Sequence, residues 1–172
     1  MCRGDARLEA DLIWMTACGI NRAALYASFN ESPNSLDWQE AERLLNRRLR
    51  REPVAYLMGT REFYGIGLTV APGVLIPRQE TEAVVEGTLS LVADTPSPLI
   101  ADVGCGSGAI AIAIATARTD ATVYALDVST DAIDLTTLNA RALGLANRVR
   151  ILRSDCLLYT SPSTRDATLA RM

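Results

Sequence analysis

The sequence predicts an α/β fold: half of a doubly wound parallel sheet, preceded by a small helical domain and a β-hairpin. Three observations carry this reading. From Leu99 onward, apolar runs of strand length alternate with segments of helical periodicity, and strand–helix–strand–helix–strand implies parallel strands joined by right-handed crossovers. The stretch "LIADVGCGSGAIAIAIA", Leu99 to Ala115, passes from an apolar strand through three alternate glycines into an alanine-rich helix. Before Glu52, the apolar spacing is helical.

Each element follows from local signals. Leu8, Leu12 and Met15 fall on one face of a first helix, widened by Ile13 and Ala17, and Gly19 is placed to end it. Asn21 is placed to cap a short helix through Ala27, and Pro33 breaks the pattern. Asp37 and Glu40 form a capping-box-like pair in a helix carrying Trp38, Ala41, Leu45 and Leu49 at helical spacing. Arg43, Arg47, Arg48, Arg50 and Arg51 decorate that helix as a solvated face, and Pro53 stops it. Between Glu52 and Arg78 the period changes. "REFYGIGLTVAPGVLIPR" mixes aromatic and β-branched residues with Gly65, Gly67 and a Pro72-Gly73 turn, a β-hairpin pattern closed by Pro77.

A helix starting near Glu80 or Thr81 then buries Val85, Leu89 and Val92, and the polar loop Asp94–Pro98 follows. Strand Leu99–Val103 leads through the glycines to helix Ala109–Ala117. Strand Thr122–Leu126 ends at Asp127, Ser129 caps a helix to about Leu143, and strand Val149–Leu152 ends near Asp155. The chain is thereby expected to divide into a helical domain (1–52), a hairpin linker (53–79), a ligand-binding α/β domain (80–156) and a tail (157–172).

Composition narrows the chemistry. The net charge of −3 over 172 residues argues against a broadly basic, nucleic-acid-binding surface. No apolar run is long enough to span a bilayer, and "MCRGDARLEADL" lacks the layout of a signal peptide, so a cytoplasmic protein is expected. Cys2, Cys18, Cys105 and Cys156 show no C-x-x-C spacing, which points to neither a metal site nor a disulfide framework. With no histidine in the chain, Ser-His-Asp and Cys-His arrangements and HExxH metal sites are excluded.

The candidate site gathers at the carboxyl ends of the strands, where open α/β sheets bind ligands. Gly104, Gly106 and Gly108 give G-x-G-x-G, unlike the G-x-G-x-x-G of dinucleotide sites. Three alternate glycines make a thin floor that a flat or extended ligand can approach closely. Asp102 precedes them, and Cys105 and Ser107 lie between them. Asp127 ends the next strand, where a carboxylate can accept hydrogen bonds from ribose hydroxyls. Asp155, with Cys156 beside it, ends the third strand, at the position for an adenine edge. No residue from Asp102 to Ala117 is basic, so a phosphate ligand fits less well than a nucleoside without phosphates. Arg78, Glu80 and Thr81 are candidates for a pocket entrance; they also fit an ordinary hairpin exit into a helix start.

"DVGCGSG" resembles the first motif of the class I S-adenosylmethionine-dependent methyltransferases. "EPVAYLMGTREFYG" and "VAPGVLIPRQETE" resemble the narrower HemK/PrmC family, the release-factor glutamine methyltransferases, and "DARLEADLIW" resembles that family's N-terminal helical domain. Gln79 departs from the family's usual proline. The resemblance runs from about Asp5 to Asp155. It implies a partial class I methyltransferase Rossmann-like sheet, comprising the first three strands, and S-adenosyl-L-methionine as cofactor. The glycine loop would face the methionine part and Asp127 the ribose, with Asp102, Gly104, Cys105, Gly106, Ser107, Gly108, Asp155 and Cys156 completing the site.

The resemblance further implies N5-methylation of the glutamine in the Gly-Gly-Gln loop of class 1 peptide chain release factors, without direct nucleic-acid binding. In the family, an Asn-Pro-Pro-Tyr motif holds the amide to be methylated. That motif does not occur in this chain, whose Asn139 and Asn147 precede Ala140 and Arg148. No catalytic residue is therefore assigned. The ending "LLYTSPSTRDATLARM" does not resemble the family and reads as a non-family tail on a truncated, inactive member. Two rival readings remain: a fragment of a nucleic-acid adenine-N6 methyltransferase, or a catalytically dead cofactor-binding module. "PVAYLMG" and "IPRQETE" favour the protein-glutamine branch.

Overall fold

The computed structural model describes residues 3–28, 30 and 32–155; Cys156 and the tail 157–172 lie outside the described residues. The chain forms two compact units, Met1–Arg61 and Glu62–Met172.

In the first unit α1 (Arg3–Cys18), α3 (Ser35–Leu49) and α4 (Val54–Met58) pack around Ile13, Leu44 and Leu57, with Ala17 against them, and the short α2 (Arg22–Ala27) buries Leu25. Gly19, at φ +63°, follows the end of α1. Asn21 caps α2 by accepting from the Ala24 N–H at 2.9 Å.

Three expectations need correction here. The buried position of α1 is Ile13, while Leu8 is exposed. Asn34, not Asp37, caps α3: its Oδ1 accepts from the Leu36 and Asp37 N–H groups at 2.9 and 2.8 Å. Asp37 sits one turn inside and accepts from the Asn34 amide at 2.7 Å. The third correction concerns the face of α3. Leu44 is buried, whereas Trp38, Leu45 and Leu49 are exposed. Adjacent leucines offer two stripes one residue apart, and α1 and α4 select the one through Leu44. Trp38 rests its ring 6.0 Å from that of Trp14.

The arginine face is also less free than expected. Arg43 pairs with Glu40 at 2.6 Å, Arg47 with Glu52 at 2.5 Å, and Arg48 reaches across to Glu9 on α1 at 2.8 Å. Helix α4 replaces part of the expected hairpin. Pro53 occupies its N-cap and Gly59, at φ +70°, ends it. Its five residues, VAYLM, are too few for a helical period to show and are partly β-like in composition.

The hairpin proper is β1 (Thr60–Phe63) and β2 (Ile66–Thr69). Tyr64 and Gly65 turn it at φ +52° and +70°, the two positive values that a tight hairpin turn needs. Phe63 and Leu68 are buried in the core of the second unit. A 3₁₀ turn, Gln79–Thr81, leads into α5 (Glu82–Leu91), whose Val85 is buried as expected, while Leu89 and Val92 are only half-buried. The Glu82 carboxylate accepts from the Tyr64 N–H at 2.9 Å, joining α5 to the hairpin turn.

Beyond this the predicted order holds: β3 (Leu99–Val103), α6 (Ala109–Ala117), β4 (Thr122–Asp127), α7 (Thr130–Ala142) and β5 (Val149–Arg153). The strands are parallel in the order β3-β4-β5, with Asp102 opposite Ala125 and Asp127 opposite Arg153. Val123, Ala125 and Val149 face the packed side, and Ala111 through Ala115 of α6 are at most 1% exposed. A helix this apolar on all sides belongs in a core, and each large side chain so buried contributes about 1.5–3 kcal/mol. Leu99, Val103, Tyr124 and Leu152 point to the other, exposed side. Arg118 fixes the loop ahead of β3, donating to the carbonyls of Val92, Ala93 and Thr95 while pairing with Asp120 at 2.6 Å. Among the described residues no helix is long and apolar enough to cross a membrane.

Candidate functional site

The glycine turn, Gly104 to Gly108, is anchored on every side. The N–H groups of Gly104 and Cys105 both donate to the Leu126 carbonyl near the end of β4, at 2.8 and 3.0 Å. Within the turn, the Gly108 N–H donates to the Cys105 carbonyl at 2.8 Å. Gly104, Gly106 and Gly108 all have positive φ, +79°, +57° and +79°, conformations that disfavour any side chain.

The three glycines serve different ends. A Cβ on Gly108 would lie 2.7 Å from the Thr136 methyl, so this glycine lets α7 pack against the turn. A Cβ on Gly106 would meet the Val74 side chain at 3.8 Å, an ordinary contact. Among the described residues, a Cβ on Gly104 would meet nothing within 4 Å.

The two aspartates divide the remaining work. Asp102 is buried, and its Oδ2 accepts from the Ala111 N–H at 3.1 Å. Gly108, the N-cap of α6, has no side chain to satisfy the first turn, so the preceding strand supplies the carboxylate. Burial raises the Asp102 pKa; the Ala111 N–H opposes this and the charge of Asp127 adds to it. Asp127 stays partly open at the end of β4. Its Oδ2 accepts from the Gly106 N–H at 3.0 Å and its Oδ1 from the Ser129 N–H at 2.9 Å. The Ser154 N–H after β5 donates to the Asp127 carbonyl at 3.0 Å, tying two strand ends together.

The structure therefore brings Asp102, Gly104, Cys105, Gly106, Ser107, Gly108 and Asp127 into one constellation. Cys105 enters it through its backbone. Its thiol is buried against Thr136, 3.5 Å from the hydroxyl, and burial pushes its pKa up to about 11. Asp155 is exposed just past β5, at the same carboxyl end of the sheet. Cys156 lies outside the described residues. Arg78 and Glu80 are exposed and Thr81 half-buried, at the short turn that starts α5. Among the described residues no hydrogen bond joins these three to the glycine turn. Val74 is the residue of that segment that reaches the turn, packed with Ala132 and Leu135 of α7.

Sequence reasoning missed two supports. Thr136 is fully buried and donates to the Gly106 carbonyl at 2.9 Å. Asn139, 2% exposed, donates to the Ser107 carbonyl at 3.0 Å. Both are polar positions one helical turn apart, on a face of α7 that otherwise buries Ala132, Leu135 and Ala140. That mismatch is the signal that could have found them. Among the described residues, no buried side-chain polar atom lacks a partner.

Comparison with known proteins gives this arrangement a family. Residues 2–59 match the model of the PrmC N-terminal domain, and residues 82–169 match that of the methyltransferase small domain. The second match runs past Cys156, where the sequence reading begins a non-family tail. The chain is 40% identical to the release factor glutamine methyltransferase of Rhodopirellula baltica, over 87% of this chain and 52% of that protein. It is also 40% identical to the one from Moorella thermoacetica, over 95% and 58%. For the Neisseria gonorrhoeae protein the identity is 42%, over 92% and 57%. The chain thus spans little more than half the length of these curated relatives. With a PrmC N-terminal domain followed by a methyltransferase small domain, the chain belongs to the release factor glutamine methyltransferase family.

Proposed function

We propose that this chain binds S-adenosyl-L-methionine at the glycine turn and serves the N5-methylation of the glutamine in the Gly-Gly-Gln loop of class 1 peptide chain release factors. The observation that carries the reading is the glycine turn tied to a strand-end carboxylate, Asp127 on Gly106, in a chain with a PrmC N-terminal domain. This reading puts the chain in the cytoplasm, alongside the release factors.

The residues fit the cofactor. Among the described residues nothing stands within 4 Å of a Cβ built on Gly104, so the methionine part can approach bare backbone there. Each Asp127 oxygen holds one backbone N–H and retains a lone-pair site for a ribose hydroxyl. Asp155 lies exposed just past β5, at the strand end where this reading puts the adenine edge. When bound, the cofactor supplies an electrophilic methyl group on a sulfonium sulfur. This chain's residues hold and orient it, and orientation is the largest contribution available: well-placed reactants gain roughly 7–11 kcal/mol. The glutamine amide nitrogen is a poor nucleophile because its lone pair is delocalised. The resemblance assigns its positioning to Asn-Pro-Pro-Tyr, which does not occur in these 172 residues.

Two experiments test the reading. Calorimetric titration with S-adenosyl-L-methionine should show saturable binding that Asp127→Ala weakens; loss of the hydroxyl acceptor costs about 1–3 kcal/mol. Unchanged affinity in that variant would remove Asp127 from the site. For transfer, the chain is incubated with release factor, nucleic acid and methyl-labelled cofactor, beside a chimera whose tail after Cys156 is replaced by a relative's continuation bearing Asn-Pro-Pro-Tyr. Label on the Gly-Gly-Gln glutamine from the chimera alone is expected. Label on nucleic-acid adenine would overturn the substrate, and glutamine label from the unmodified chain would overturn the role given to Asn-Pro-Pro-Tyr.

A further inference from the structure

We propose that Asn139 is a positioning residue that couples strand β2 of the hairpin to the glycine turn, so that a ligand on the turn and order in the hairpin stabilise each other. The inference rests on the cofactor reading above and assigns a role that reading does not need.

The geometry is specific. Asn139 Oδ1 accepts from the Thr69 N–H at 2.8 Å, while its Nδ2 donates to the Thr69 carbonyl at 3.0 Å. The pair closes a ring on a single residue of β2, as a neighbouring strand would, and so fixes the plane of the amide. The second Nδ2 hydrogen is then directed at the Ser107 carbonyl, also at 3.0 Å. Flipping the amide would set its oxygen against two carbonyls and its NH₂ against an N–H, so one orientation alone satisfies the site. Thr69 lies 70 positions before Asn139, and Ser107 lies 32 before it. One buried side chain therefore bridges segments far apart in sequence.

A residue that merely held the hairpin on α7 would need only the two bonds to Thr69. The third goes to the turn itself. Ser107 follows Gly106, whose N–H is held by Asp127 and whose carbonyl is held by Thr136. A shift at Ser107 is therefore passed through Gly106 to the N–H that Asp127 holds. If β2 slides or frays, the plane of the Asn139 amide changes and the turn loses its tether. Linkage makes the converse hold: a ligand that fixes the turn fixes Thr69 by the same factor.

The test uses the full chain and S-adenosyl-L-homocysteine as probe. Asn139→Ala, confirmed as folded, should bind at least about tenfold more weakly by calorimetry. Asn139→Asp should lose as much at neutral pH and regain affinity as the pH falls, because the protonated acid can again donate to a carbonyl. The exposed Asn147→Ala should bind as the unaltered chain does. A second measurement needs no variant: amide-resolved hydrogen exchange of the unaltered chain should show slower exchange at Thr69 when the probe is added. Folded Asn139→Ala binding within about twofold of the parent, or Thr69 exchange indifferent to the probe, would overturn the coupling. If the unaltered chain does not bind the probe, the cofactor reading fails first and the coupling falls with it. Should the variants not fold, the exchange measurement decides.

Discussion

Gly104 and Gly108 share a positive φ but answer to different neighbours, so the same substitution should fail in different ways. Gly108→Ala drives a methyl to 2.7 Å from Thr136 and should destabilise the chain by about 1–3 kcal/mol in denaturant unfolding. Thr136→Ser, which removes the opposing methyl, should recover part of that loss. Gly104→Ala meets no atom of the described residues within 4 Å and should cost only the backbone strain, about 1–2 kcal/mol, while weakening binding of the proposed cofactor out of proportion. Equal effects of the two substitutions on binding and stability would remove the distinction. Asp102 gives a prediction in pH. Burial raises its folded pKa, so the folded chain releases that proton later than the unfolded chain does. Its contribution to stability is full below the ordinary carboxylate range and is lost as the pH rises through the raised value. Asp102→Asn does not titrate. The stability of the parent relative to Asp102→Asn should therefore fall as pH rises through that window, and a flat or rising difference would contradict the burial.

Among elements, α3 shows where the sequence speaks and where it does not. Trp38, Ala41, Leu45 and Leu49 make an apolar stripe, yet Leu44 is the residue that is buried. Leu44→Ala should cost about 2–5 kcal/mol and Leu45→Ala within about 0.5 kcal/mol, measured by chemical denaturation; the reverse ranking would restore the sequence-based face. From β3 to β5 the elements were legible nearly to the residue. β3 and β4 are short, mostly apolar runs closed by Gly104 and Asp127, and Ser129 marks the start of α7 with a real cap. Helix α4 was not legible because five residues cannot display a period of 3.6. The same division runs through the site. The turn and Asp127 announce themselves by spacing within a contiguous segment. Thr136 and Asn139 do not, because their partners are backbone groups of the turn and of β2 that are placed only when the chain folds.

For the molecule as a whole, the described sheet stops at three strands. Among the described residues β3 pairs with β4 alone, and Leu99 is 73% exposed beside it. An apolar strand with an open edge is a template for pairing with another chain. Concentration-dependent self-association is therefore expected in sedimentation, and Leu99→Lys should suppress it, because edge lysines oppose such pairing. Self-association unchanged by that substitution would place the contact elsewhere. The two compact units also divide the chain's stability: the first rests on a small cluster around Ile13, Leu44 and Leu57, the second on the larger core that includes α6.

The hydrogen bonds around the glycine turn have a consequence in time. Leu126, Asp127, Thr136 and Asn139 fix its shape from within the chain, so no slow ordering of the turn need precede arrival of a nucleoside. Encounter, rather than isomerisation, then sets the pace. In stopped-flow mixing with S-adenosyl-L-methionine, the observed rate should climb linearly with cofactor concentration. A plateau at high concentration would reveal a closed form of the turn that must open first.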